Sequence, residues 1–194
     1  MPPKRSAQVD AVKKARIKFK DNFHMKNLYY FMYDWLVQQE WEPRKDEVFH
    51  EIFLGQNESA PGGSELWWYW RPRKVINNYL RWVLNVNVHV ILLRSVEIMK
   101  DGEKFKTNWG EVEIILNSWV ETDWQGTWQK HPILKNFETI YRNRLYKDDI
   151  GRQKDKVIYE TYRFQKAIKD FLGLQRTGTD ESEGEFFPRG GIGE

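Results

Sequence analysis

An α+β fold, built as an antiparallel meander sheet of about five strands with helices on one face, follows from three features of this 194-residue sequence. Apolar residues recur every second position between Tyr79 and Met99 and again from Val112 to Val120, the period of strands with one buried face. They recur at helical spacing near residues 24–40 and through the last third of the chain. No β-helix-β alternation links the strands, so helices and strands segregate rather than wind into a parallel sheet.

In chain order, Ala15, Ile17 and Phe19 alternate with Arg16, Lys18 and Lys20, a short strand with a basic outer face. Asp21 or Asn22 then stands where an N-cap belongs, ahead of Leu28, Phe31, Met32, Trp35 and Leu36, which predict a helix over about 24–40. Glu47 to Leu54 reads as a strand, and Gly55 to Ser64, with its Pro-Gly-Gly, as a loop. Leu66 to Arg71 is an aromatic strand stopped by Pro72. In the long strand Tyr79 to Met99, Leu80, Trp82, Leu84, Val86, Val88, Val90 and Leu92 share one side, while Arg81, Asn85, Asn87 and His89 share the other. Leu92-Leu93-Arg94 breaks the alternation and predicts a bend. Asp101-Gly102 suits a two-residue hairpin, after which Lys104 to Thr107 pairs back and Asn108-Trp109-Gly110 turns the chain again. Val112, Ile114, Leu116, Ser118 and Val120 then face the core, with Glu113, Asn117, Trp119 and Glu121 outward. Pro132 opens a helix with the inward stripe Ile133, Phe137, Ile140, Tyr141 and Leu145. Gly151 separates it from a last helix with the stripe Val157, Thr161, Phe164, Ile168 and Phe171, ended by Gly173.

Charge divides the chain further. Residues 1–20 carry Lys4, Arg5, Lys13, Lys14, Arg16, Lys18 and Lys20 against Asp10, a net of +6, and residues 176–194 carry −3, so within a total of +3 the body between is neutral. The expected organisation is a basic arm over 1–14, one α+β domain over 15–174, and an acidic, Gly-rich flexible tail over 175–194 whose apolar feature is Phe186-Phe187-Pro188. A neutral body argues against a broad footprint on duplex DNA.

Composition excludes several chemistries. Without cysteine there are no disulfides, thiolate nucleophiles or thiolate metal sites. Glycine-rich nucleotide loops, His-Glu-x-x-His and Gly-x-Ser-x-Gly are absent too. The four histidines are scattered, and a metal site of His50, His89 and Glu51 finds no support in their spacing. Glu97, Glu111 and Glu113 stand near Lys100, Lys104 and Lys106, which favours cross-strand ion pairs over acid–base catalysis. Neither an enzyme nor a cofactor is expected. The longest apolar run, Val90 to Leu93, is far short of the roughly 20 residues that cross a bilayer, and the charged start is no secretory signal, so a cytoplasmic protein is expected.

Aromatics make up 15% of the chain, with 10 Trp, more than a core of this size uses, so some should be exposed for partners. The candidate partner-binding row is Arg81, Asn85, Asn87, His89, Asn117 and Trp119, and the candidate electrostatic arm is Lys13, Lys14, Arg16, Lys18 and Lys20. The function expected is a non-catalytic interaction or self-assembly protein, a homo-oligomer or a binder of another protein, using exposed aromatics and oppositely charged ends. The first alternative is single-stranded RNA on an open sheet face, where amides, imidazole and indole can stack and bond unpaired bases. The second is peripheral membrane binding through the basic arm, with Val9, Val12, Ile17 and Phe19 beside the cations. The helix sequence Tyr30-Phe31-Met32-Tyr33-Asp34-Trp35-Leu36, the aromatic strand and the hairpin Val96 to Glu113 together resemble a family of short archaeal proteins of unassigned function, over roughly residues 15–174. That resemblance implies no activity and no site.

Overall fold

A computed structural model describes residues 7–41, 51–59, 63–100 and 103–174. The expected charged tail, Lys4, Arg5, His50 and the turn Asp101-Gly102 lie outside the described residues. The elements are β1 (Ala7–Phe23), α1 (Met25–Gln38), β2 (Glu51–Ser59), β3 (Gly63–Trp70), β4 (Arg73–Val75), β5 (Leu80–Lys100), β6 (Glu103–Thr122), α2 (Thr127–Lys130), α3 (Leu134–Ile140), a π-helical turn (Tyr141–Leu145) and α4 (Lys147–Phe171). The sheet has six antiparallel strands in the order β1-β6-β5-β3-β2, with β4 also paired to β5. Strands β2, β3, β5 and β6 run as a meander, and β1, first in the chain, joins its far edge beside β6.

One face of the sheet makes the core. Leu84, Val86, Val88 and Val90 of β5, Val112, Ile114 and Leu116 of β6, Ile17 of β1, and Trp68 and Trp70 of β3 are all buried there. Helix α1 adds Leu28, Met32 and Leu36, and α4 adds Val157, Phe164 and Ile168. Aromatic edges join the layers: Tyr29 meets Trp70 at 4.9 Å, Trp35 meets Phe164 at 4.6 Å, and Phe31 stacks on Phe171 at 4.7 Å. One polar pair is sealed inside this core. The Ser118 and Thr161 hydroxyls meet at 2.9 Å, and Thr161 also donates to the Val157 carbonyl at 2.7 Å, so neither is buried unbonded.

Several expectations are corrected. β1 begins at Ala7 and takes in residues 7–14 of the expected arm, because Val12, Ala15 and Ile17 bury against β6. It also continues through Asp21 and Asn22 to Phe23, so neither caps α1; the Asn108 side chain instead accepts the Met25 N–H at 3.3 Å. Gly55 lies within β2 rather than in a loop: Phe53 lays its ring across it, so close that a Cβ there would stand 2.6 Å from the ring. Residues 108–110 do not turn the chain, and β6 is one strand of 20 residues. Gly151 lies inside α4 rather than before it. The bend at Leu92 is present: the β5–β6 register shifts between Ile91 and Arg94, and Leu92 has φ +56°. Lys100 pairs with Glu103 across the two residues 101 and 102.

Candidate functional site

The sheet face opposite the helices carries the other half of each alternation. Antiparallel register lines these residues up across strands: Trp67 of β3, His89 of β5, Glu113 of β6 and Lys18 of β1 form one row, and Tyr69, Asn87, Ile115 and Arg16 form the next. Together with Ile52, Arg71 and Asn85 they line a groove of about 460 Å³. Its upper wall is the stacked pair Trp67–His89, with ring centroids 5.0 Å apart and planes 14° from parallel. His89 Nε2 is shielded from solvent and has no hydrogen-bond partner. Phe53 stacks on Tyr69 at 5.5 Å beside the groove. At the other end Arg71 donates from Nε to Asn85 Oδ1 at 3.2 Å, which holds a guanidinium against the groove's amides.

The candidate row divides. Asn85, Asn87 and His89 line the groove, whereas Arg81, Asn117 and Trp119 lie apart from it and are engaged elsewhere. Arg81 bonds Glu121 at 2.5 Å and lies over Trp124 at 5.2 Å. Strand β1 is bulged between Val12 and Ala15, and Asn117 fills the bulge: with its amide nitrogen turned inward, it donates to the carbonyls of Lys13 and, at 3.2 Å, Leu116. Trp119 lies between Val83 and Asp10, half-buried, its indole N–H enclosed without a partner. It therefore does not offer its donor at the surface.

The arm residues join the same face. Arg16 pairs with Glu113 and holds its carboxyl below the usual carboxylate range, with Lys18 and Lys14 adding to the effect. Lys18 stands 3.9 Å from Glu111, and Lys20 lies over Trp109 at 5.9 Å. Cross-strand ion pairs thus form as expected in kind, but Glu111 and Glu113 take their partners from β1. The apolar residues of the arm, Val12 and Ile17, are in the core, with Val9 and Phe19 packed against it, so β1 presents cations without an apolar face for lipid. No helix among the described residues is long and apolar enough to cross a membrane. Glu51, once grouped with His50 and His89, accepts from Tyr29 at 2.5 Å and Trp70 at 3.2 Å on the core side.

Sequence reasoning missed Trp67, Tyr69 and Arg71. The signal was present: once Trp68 and Trp70 are core, alternation puts Trp67 and Tyr69 on the face that β5 shares with Asn87 and His89.

No protein family matches this chain, and neither does any curated protein. A solved structure of an uncharacterized protein from Rhizobium leguminosarum overlaps 88% of this chain and all of its own, with 8% identity and a TM-score of 0.21. A likeness that low carries no argument.

Proposed function

We propose that the chain is a non-catalytic interaction protein whose open sheet face binds single-stranded nucleic acid. The observation that carries this reading is the meeting of two sequence features on one surface: the β1 cations and the aromatic-amide groove face the same way. Strands lie about 4.8 Å apart, so the β1 row runs roughly 10 Å from the β5 amides and roughly 14 Å from Trp67 and Tyr69. A polynucleotide laid along the strands would set its phosphates on the cations and reach its bases into the groove. Lys14, Arg16, Lys18, Lys20 and Arg71 outnumber Glu65, Glu111 and Glu113 there, which suits a polyanion. Half-exposed Trp67 and Tyr69 offer stacking surfaces, and Asn85 and Asn87 offer donors and acceptors to base edges.

Titration of the protein with a short single-stranded RNA at low salt should quench its tryptophan fluorescence, with affinity falling steeply as salt rises. Replacing Arg16 and Lys18 together with Ala should lower the salt slope by about 2, one for each lost phosphate contact. If neither RNA nor DNA changes the fluorescence at low salt, the reading is wrong.

A further inference from the structure

Between β6 and α4 the chain turns outward an apolar stripe that periodicity assigns to the core. In α3 the residues facing the body are Leu134, Glu138 and Tyr141. Tyr79 donates to Glu138 Oε1 at 3.5 Å, Arg142 pairs with the same oxygen at 3.4 Å, and Tyr141 packs among Tyr79, Trp128 and Tyr146. That set of contacts fixes the rotation of the helix. Ile133, Phe137, Ile140 and Leu145 are consequently 52–76% exposed, four large apolar side chains within thirteen residues. Such a patch marks a contact surface more often than bare solvent.

Its surroundings select the occupant. Lys130, Lys135, Arg142, Arg144 and Lys147 flank the stripe, against Glu138, which Arg142 already holds. The next acids, Asp148 and Asp149, open α4, where Asp149 pairs with Arg152 at 2.9 Å. Two such stripes brought face to face would oppose like charges. An aromatic pair in an acidic segment fits both properties, and the chain contains one: Asp180-Glu181-Ser182-Glu183-Gly184-Glu185-Phe186-Phe187-Pro188.

We propose that residues 180–188 of one copy dock on the α3 stripe of a second copy, reciprocally, to make a dimer. Docking within one chain is disfavoured by reach. Helix α4, 25 residues and roughly 38 Å long, runs between the π turn beside α3 and the start of the acidic segment. The eleven residues 175–185 span at most about 40 Å fully extended, with almost no slack and the full cost of ordering them. A second copy removes that constraint, and each copy offers one stripe and one segment.

Sedimentation velocity of the full chain, freed of nucleic acid by nuclease, tests this. The wild type should dimerise at low salt and dissociate as salt screens the pairing. Phe137→Ser, on an exposed side chain, and the double variant Phe186→Ala/Phe187→Ala should each weaken the dimer about tenfold or more. A mixture of the two variants retains one intact stripe and one intact segment, so it should form a heterodimer that neither variant forms alone. A wild type that stays monomeric at every salt level overturns the proposal, and so does a dimer that persists in both variants. Neither variant touches the groove, so this failure and that of the nucleic-acid reading are separable.

Discussion

Tyr79 enters the structure just ahead of β5, where its ring meets Trp128, Tyr141 and Tyr146 edge-on at 5.4–5.8 Å. Burial, and then the nearby Glu138 carboxylate, push its phenol from the usual 10 up to about 12. The unfolded chain releases that proton near pH 10, while the folded chain keeps it until about 12. The stability this group contributes is therefore complete below about pH 10 and is lost as pH rises towards 12. Tyr79→Phe should flatten the alkaline decline, read as urea midpoints between pH 8 and 12, while neutral stability changes little because Arg142 still holds Glu138. Tyr29, also pushed up by burial and by Glu51, retains its own share of that decline in the variant. At this scale the sequence reveals a face but not a partner. Alternation placed Arg81 and Asn117 outward, yet it carried no sign that Glu121 would stand opposite Arg81 or that a β1 bulge would need the Asn117 amide.

Three glycines show why element boundaries were harder to read than elements. The Leu92 bulge brings the β5 backbone against both neighbouring strands, and each neighbour supplies a glycine at that point. A Cβ on Gly110 of β6 would stand 3.1 Å from the Ile91 carbonyl oxygen, and one on Gly63 of β3 would stand 2.9 Å from the Leu92 carbonyl carbon. Gly110 was taken for a chain reversal when its role is close approach to a bulge; a glycine in a strand signals either, and only the neighbour decides. Gly151, similarly, was taken for a helix break, although Ile150 and Val157 carry the buried stripe of α4 across it. The bend itself was legible because Leu92-Leu93 interrupts a strict period of two. Gly63 also has φ +118°, a region closed to other residues. Gly63→Ala combines that strain with the clash and should cost about 1–3 kcal/mol in urea unfolding, more than Gly110→Ala, whose backbone lies in no such region.

For the whole molecule, the sheet separates stability from binding. Periodicity made this division legible, since the alternation of β5 and β6 assigns a face to each residue without knowing strand order. It did not reveal that β1 returns to pair with β6, and so the basic arm and the outward row read as separate features when they form one surface. Trp82 and Trp67 test the division. Trp82 is buried on the helix-covered side, 5.9 Å from Trp41, so Trp82→Ala opens a cavity and should cost about 3–5 kcal/mol. Trp67 is half-buried on the opposite side, where its main contact is the His89 ring; Trp67→Ala forfeits that pair and should cost about 0.5–1.5 kcal/mol. Binding should reverse the order. Loss of a stacking platform weakens single-stranded RNA by about 1–3 kcal/mol per base, roughly 5- to 150-fold, whereas Trp82→Ala, measured where it is still folded, should bind as the wild type does. Equal losses of affinity in the two variants would mean that the face is not a binding surface separate from the core, and that affinity merely follows the folded fraction.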